Sequence, residues 1–281
     1  MKALSVIVPT YNREANLASC LRAIRASRQG GNVEVVVSDD GGHLDLELLC
    51  QKFQARLIQG PNQGPAAARN RGAAAASGDV IVFLDDDCQV MPDCLERLHS
   101  GVLSMERCVV GGHCVNGLPH NPFSETSQRI TNGLIRATSG SEYPFLPTCV
   151  LGLRRSSFES IGRFDESFPL AAGEDRAFCR VATEKGHSLR QVSEARVTHY
   201  HHLGLKSFLR QHYRYGKGAR RFEEAFGGGV LLDRGQRWRL LSHCLAPKPV
   251  MLHWPLRAFA FGLSQCATKA GYHSSSTGAI G

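Results

Sequence analysis

DVIVFLDDD, residues 79–87, is the stretch on which the fold turns. Its run Val80–Leu84 is apolar on both faces, which places it as a strand in the centre of a parallel sheet. Three carboxylates follow at once. Adjacent carboxylates at the end of a buried strand repel one another, and a cation relieves that cost. On an extended segment side chains i and i+2 point the same way, so Asp85 and Asp87 can share a target while Asp86 turns aside. A hard cation such as Mg²⁺ or Mn²⁺, held by one or two carboxylates and phosphate oxygens, fits such a pair. The competing reading is a solvated acidic loop or a helix start, since Pro92 and Asp93 follow closely.

Upstream, strand-like and helix-like segments alternate. Leu4–Val8 is an apolar run that ends at Pro9 and a polar turn. Asn12 is placed to cap a helix whose Leu17, Leu21 and Ile24 fall on one face. Val33–Val37 is a second strand, followed by Asp39-Asp40-Gly41-Gly42. The alanine-rich stretch 65–77 reads as a closely packed helix stopped near Gly78. This alternation implies an α/β layered domain with right-handed crossovers. Ligands in such sheets bind beyond the carboxyl ends of the strands. Three polar clusters lie there: Pro9–Glu14, Asp39-Asp40 and Asp85–Asp87.

Two more constellations follow. Gly173-Glu174-Asp175 precedes a helix bearing Phe178, Val181 and Ala182. A carboxylate there can accept a proton from an attacking hydroxyl, or simply complement the helix dipole. His199-Tyr200-His201-His202 ends the strand-like stretch Ala195–Val197. One of these imidazoles can complete a metal shell, or the cluster can be surface polarity alone.

The composition is globular: 281 residues, 42% hydrophobic and 21% charged. The net charge of +8 is localised, because residues 1–203 carry 21 Lys/Arg against 22 Asp/Glu, whereas 204–257 carry 11 against 3. That distribution excludes a uniformly basic nucleic-acid binder. Leu205, Phe208, Leu209, His212 and Gly216 recur at helical spacing within the basic block. Beyond the break Gly227-Gly228-Gly229, Trp238, Leu240, Leu241, Met251, Trp254, Phe259 and Phe261 mix with Arg and Lys. Such a mixture suits an interfacial helix on an anionic membrane; the bland alternative is a basic helical pair packed on the catalytic domain. No run approaches the roughly 18 apolar residues of a spanning helix, and no signal-peptide pattern opens the chain. Ten cysteines without a paired framework suit a reducing compartment. Cys108, His113 and Cys114 lack zinc-site spacing and read as buried strand residues.

In order, these pieces resemble glycosyltransferase family 2, which has the GT-A fold. The matching stretches are SVIVPTYNRE at 5–14, VVVSDDGG at 35–42, NQGPAAARNRGAAAASGDVIVFLDDD at 62–87, LRRSSFESIGRFDESF with GEDRAFCRVATEKG within 153–186, and VTHYHH at 197–202. The resemblance implies a Rossmann-like α/β/α layered domain over 1–204 with a mostly parallel sheet, a helical basic-amphipathic extension over 205–270, and a disordered tail over 271–281. It implies that Pro9, Thr10, Tyr11 and Glu14 frame the nucleotide base and that Asp39 or Asp40 bonds its imide edge. Asn62, Gly64 and Arg69 would lie near base and ribose. Asp85 and Asp87 match the outer carboxylates of the family's DxD motif, with Asp86 beside the nucleotide. Asp175 matches the catalytic base, Glu174 its positioning partner, and His199 the histidine that approaches the metal.

The implied reaction is metal-dependent transfer with inversion, from a nucleoside-diphosphate sugar of UDP or dTDP type to a hydroxyl. The acceptor would be a cell-envelope glycan or lipid-linked precursor, the cofactor Mn²⁺ or Mg²⁺, and the location cytoplasmic, with the membrane's inner face within reach. Two positions depart from the family. Gly42 replaces a frequent serine, and Val150 stands where many relatives have an asparagine before the paired arginines, so acceptor specificity does not carry over. A nucleotidyltransferase or a dehydrogenase would need a glycine-rich phosphate loop after the first strand, and PTYNRE has no glycine. A degenerate nucleotide-sugar binder would have no need of Asp175.

Overall fold

The computed structural model describes residues 3–168, 170, 172–227, 232–246 and 254–274. In chain order the elements are β1 (Leu4–Thr10), α1 (Glu14–Ala26), β2 (Val33–Asp39), α2 (Glu47–Lys52), β3 (Arg56–Gln59), α3 (Pro65–Ala75), β4 (Val80–Leu84), β5 (Cys88–Val90), α4 (Cys94–Leu103), β6 (Cys108–Asn116), α5 (Pro122–Thr138), β7 (Val150–Arg154), α6 (Arg155–Ile161), α7 (Glu174–Glu184) and β8 (Ser188–His199). Three helices follow: α8 (Leu205–Phe226), α9 (Arg234–Leu245) and α10 (Trp254–His273). The eight strands form one sheet in the order β3-β2-β1-β4-β7-β6-β8-β5.

Period-two alternation builds three layers. Val80, Val82 and Leu84 face Leu17, Leu21 and Ile24 of α1 and Leu95, Leu98 and Val102 of α4. Ile81 and Phe83 face the opposite way, onto α3, α6 and α7, through Ala66, Ala73, Phe158 and Phe178. Here Phe83, Phe158, Phe164 and Phe178 pack with ring centroids 4.6 to 5.9 Å apart. Each fully buried ring contributes about 1.5–3 kcal/mol, and together they seat α7 on the sheet.

Strand β4 is central but parallel on one side only: it pairs parallel with β1 and antiparallel with β7. Four of the seven strand pairings are parallel, and the antiparallel ones gather around β7 and β5. Residue Val150 is fully buried in β7 opposite Leu84, so it is core rather than a polar contact point. The paired arginines serve the fold as well, Arg155 donating to the carbonyls of Ala73, Ala76 and Gly78 that end α3.

Asn12 is not a helix cap. It has φ +55° and accepts a hydrogen bond from the backbone N–H of His43, which ties the turn after β1 to the loop after β2. Nine of the ten cysteines are buried and all are free, Cys108 and Cys114 among them in β6.

The extension is helical as expected, and α10 continues through Gly271–His273, where a tail was expected. Its close packing explains why. A Cβ on Gly271 would stand 1.9 Å from the carbonyl oxygen of Tyr213, and one on Gly216 would stand 1.9 Å from that of Thr268. Helices α8 and α10 therefore meet backbone to backbone, a contact that holds the last turn in place. Residues 275–281 lie outside the described residues, as do Gly228, Gly229 and Met251.

These glycines make opposite predictions. Gly216→Ala should lower the free energy of unfolding by about 1–3 kcal/mol through overpacking. Gly262→Ala, an exposed helical site with nothing within 4 Å of the added Cβ, should raise it by about 0.5–1 kcal/mol. Urea unfolding of the two variants checks the contrast.

Candidate active site

The carboxyl ends of β1, β2 and β4 bring the three polar clusters to one sheet edge. A backbone contact joins the first two, Asp40 N–H donating to Thr10 O at 2.9 Å, and Gly60 N–H donating to Asp39 O at 3.1 Å ties in the loop after β3. The acidic run is a turn and not an extended segment, since Cys88 N–H donates to Asp85 O at 3.0 Å. Strand alternation therefore does not apply, and the three carboxylates separate differently from the expected pairing. Asp85 takes Arg69 Nη2 at 2.9 Å. Asp86 and Asp87 share Arg13 Nη1, each at 3.0 Å, and Asp86 also accepts from Thr10 Oγ1 at 2.8 Å. Burial pushes Asp86 up to about 6 against the pull of Arg13. With its oxygens engaged, Asp86 braces the turn, and the hydroxyl of Thr10 points at it rather than outward.

His199 arrives by strand register. Antiparallel pairing sets Cys88 opposite His199, and parallel pairing sets Asn116 opposite the same residue. Asp87, one residue before Cys88, then lies beside the imidazole, with Asp87 Oδ1 3.2 Å from His199 Nε2. The other ring nitrogen, Nδ1, is 2.8 Å from Gln128 Oε1, which fixes Nδ1 as the donor. Burial alone would lower the pKa of His199, but Asp87 outweighs it and lifts it to about 9. Burial likewise pushes Asp87 up, and His199 followed by Arg13 outweighs that, holding it well below the usual carboxylate range. His201 stacks on His199 at 4.1 Å, and burial pushes it down to about 3.

Asp87, Cys88 and His199 present ligand atoms that all lie within 4.8 Å of one another. Asp87 Oδ1 is buried with no hydrogen bond of good geometry, its nearest partner being His199 Nε2 at 3.2 Å, and a cation between the two would take both as ligands. The Asp87 oxygen suits Mn²⁺ or Mg²⁺, an imidazole nitrogen favours the transition metal of the two, and the Cys88 thiol suits neither. Asp85, engaged with Arg69, stands outside this group.

Arg69 joins the acidic turn after β4 to the start of α7. Its side chain is 5% exposed, and its second nitrogen, Nη1, bonds Glu174 Oε1 at 3.1 Å. It lies inside the acidic site, between Asp85 and Glu174. Glu174 and Asp175 open α7 from Gly173, whose φ of +96° suits glycine. Burial, then the neighbouring Asp175, pushes Glu174 up to about 7. Burial pushes Asp175 up to about 6, opposed by a hydrogen bond from the N–H of Arg176 at 2.8 Å.

The pair after β2 divides its work. Asp40 accepts from the N–H groups of Gln63 and Gly64 and from Arg71, at 3.1, 2.7 and 2.7 Å, so it folds the loop before α3. Asp39 spends Oδ1 on Gly42 N–H at 3.0 Å, and its Oδ2 is buried without a partner. Gly64, with φ +93°, starts α3; Asn62, Tyr11 and Glu14 are exposed at the rim, and Pro9 is half-buried beneath them. Arg13, Arg71 and Gln128 are the members of this network that the sequence reading did not single out. Arg13 stood within the quoted PTYNRE stretch as the one cation facing an acidic edge, and that was the available signal.

A parallel half-sheet ending in acidic turns, completed by a mixed half that returns a histidine to them, is the GT-A architecture of nucleotide-sugar enzymes. The family model described as glycosyl transferase family 2 matches residues 5–162, and the chain belongs to that family: it is a glycosyltransferase. It is 29% identical over 223 residues to the glycosyltransferase AglE of Haloferax volcanii, covering 76% of this chain and 72% of AglE. It is 35% identical over 105 residues to the GalNAc(5)-diNAcBac-PP-undecaprenol beta-1,3-glucosyltransferase of Campylobacter jejuni, covering 35% of this chain and 34% of that protein. Among solved structures, the mannosyltransferase PcManGT of Pyrobaculum calidifontis, in complex with GDP-Man and Mn²⁺, has the same fold. It has a TM-score of 0.61 at 17% identity and covers 98% of this chain and 76% of that one.

Arg69→Gln tests the central bridge. Removing one partner of a buried pair costs about 3–5 kcal/mol. Glu174 already has a folded pKa above its unfolded one, so its ionisation weakens the fold as pH rises. Loss of Arg69 raises that pKa further. The stability deficit of the variant should therefore grow from pH 5 to pH 8, as read by urea unfolding at both values.

Proposed function

We propose that this glycosyltransferase is a metal-dependent inverting enzyme that moves a sugar from a nucleoside diphosphate to an acceptor hydroxyl. The observation that carries the reading is the single buried Arg69 that joins the acidic turn of Asp85 to the Glu174-Asp175 pair. Asp87 and His199 would hold Mn²⁺ or Mg²⁺, with Asp85, bonded to Arg69, set to one side of the ion. When bound, the cation offsets the charge that grows on the departing diphosphate. The Mn²⁺ in the structurally similar mannosyltransferase supports this assignment.

On the opposite side, Asp175 takes the proton from the attacking hydroxyl. Its burial raises its pKa to about 6, close to working pH, where a carboxylate is a stronger base than an exposed one. Glu174, held by Arg69, sets the position of that turn. For the donor base, the free Oδ2 of Asp39 calls for an N–H, which the imide edge of uracil or thymine supplies. Asp40, its oxygens engaged, shapes the pocket together with Gly64 and Asn62, and Pro9, Tyr11 and Glu14 form its rim.

The same reading places the extension on an anionic membrane, with a lipid-linked acceptor. No helix among the described residues is long and apolar enough to cross a membrane. Arg234, Arg237, Trp238 and Arg239 lie exposed on α9, and Leu256 and Phe259 are exposed on α10. Aromatic and basic groups side by side suit a headgroup boundary. The undecaprenol-linked acceptor in the name of one relative agrees with this placement.

Asp175→Asn should lower kcat by about 100-fold or more while leaving donor affinity intact. Asp87→Asn should lose metal-dependent donor binding, measured by calorimetry with Mn²⁺ and a panel of nucleotide sugars. Near-normal turnover by either variant removes that residue from its role. In the wild type, activity should fall as pH drops below about 6, where Asp175 gains its proton, and not near the usual carboxylate value. For the membrane, the full chain should sediment with vesicles containing anionic lipid and not with neutral ones. Trp238→Ala with Phe259→Ala should weaken that recovery, and equal recovery in the supernatant for both vesicle types would end the idea.

A further inference from the structure

Beside the base lies a cavity that the proposed transfer does not use. It has a volume of about 290 Å³, and α7, α8, α9 and the loop after α5 enclose it. Tyr143, Phe145 and Phe222 supply aromatic walls, and Arg176 and Arg180 project into it from α7. These two arginines are four residues apart on one helix, and like charges at that spacing repel. Arg180 has a carboxylate, Glu184, at 2.5 Å, and its guanidinium lies 3.5 Å from the centre of the Tyr143 ring. Arg176 is different. Among the described residues its side chain makes no hydrogen bond and no close ion pair; it feels the charge of Asp175 and contacts the Phe145 ring at 5.8 Å.

The acidic groups around the cavity are engaged elsewhere. Asp233 caps α9, accepting from Gln236 N–H at 2.8 Å, and Glu142 accepts from the hydroxyl of Tyr143. A half-buried guanidinium with no hydrogen-bond acceptor is a costly element in a fold whose buried arginines, Arg69, Arg129 and Arg257, each have at least one. Arg180 lies directly over the Tyr143 ring, which steadies its guanidinium, and such a pre-set fork beside a second arginine suits a planar or tetrahedral oxyanion.

We infer that this cavity is a subsite for an anionic group, a phosphate or a sugar carboxylate, carried by the acceptor. Arg176 and Asp175 are near enough for their charges to interact, so an anion held in the cavity would anchor the acceptor in the neighbourhood of the base that receives its proton. The inference rests on the transfer reading above, yet the site itself can be tested without turnover.

The test is protection from phenylglyoxal, an arginine reagent, with modified peptides of the full-length protein mapped by mass spectrometry. Inorganic phosphate and glucuronate serve as separate probes, with chloride matching ionic strength. Modification of Arg176 should slow by about fivefold when the probe is at four times its Kd. The probe that acts at the lower concentration identifies the anion as phosphate or carboxylate. Arg180→Ala should raise the concentration needed for protection of Arg176 without changing the rate of modification at Arg13. An Arg176 rate that stays the same with either probe and with chloride would overturn the subsite. Protection confined to Arg13 and Arg69 would overturn it equally, because the anion would then occupy the donor side alone. Neither failure touches the transfer reading, which is carried by the Arg69 bridge and tested separately at Asp87 and Asp175.

Discussion

Arg69 bridges two carboxylates that belong to different halves of the molecule. Asp85 ends the run from β4, and Glu174 starts α7, 89 positions further along the chain. Burial already raises Glu174 to about 7, and without the guanidinium beside it that acid would hold its proton more tightly still. The guanidinium is itself placed by α3, a helix of small residues. Gly72 lets that helix lie against Ile7, where a Cβ would stand 2.5 Å from Ile7 Cγ2. Alanine-rich packing thus has a functional consequence: it brings the arginine close enough to the sheet to reach both acids.

Strand pairing sets the other half of the site. Parallel sheets place ligands beyond their carboxyl ends, but three strand ends alone do not bring a histidine to them. The antiparallel β5–β8 pairing does so by setting Cys88 opposite His199. A register shift between Gly111 and His113 in the β6–β8 pairing precedes that point. Shifted by one residue, every side chain of β8 would change face, and the imidazole would leave Asp87 for the other side of the sheet.

These features differ in how far they were legible in the sequence. VIVFL announced a buried strand because its burial on two faces leaves no polar alternation. The spacing of Leu17, Leu21 and Ile24 announced α1 for the corresponding helical reason. The acidic run was misjudged in geometry, since it was treated as extended when it turns, as Asp-rich stretches tend to do. Asp39 and Asp40 could not be told apart from adjacency, because the difference lies in which carboxylate meets the amides of Gln63 and Gly64. β3 escaped notice: its four residues are exposed or half-buried and make no apolar run. Arg13 escaped because its partners lie 73 and 74 residues away. The local alphabet of strand and helix can be read in sequence, whereas counter-ions contributed across the fold cannot.

The extension is bound to the chemistry more tightly than its basic composition suggests. A Cβ on Gly218 would stand 2.3 Å from the carbonyl oxygen of Ala172, and one on Gly173 would stand 3.0 Å from that of Gly218. Two residues earlier on α8, Gly216 touches the backbone of α10. Helix α8 is therefore wedged between α10 and the turn that launches Glu174 and Asp175. A side chain at either glycine would move one partner, since interiors packed to this density do not absorb a methyl group without displacement. The consequence is mechanical: the last helices set the height of the α7 N-terminus above the sheet. A basic appendage that served solubility alone would need no such backbone contact. Its glycines make α8 a wall of the site, so the acidic turn and the basic helices function as one unit.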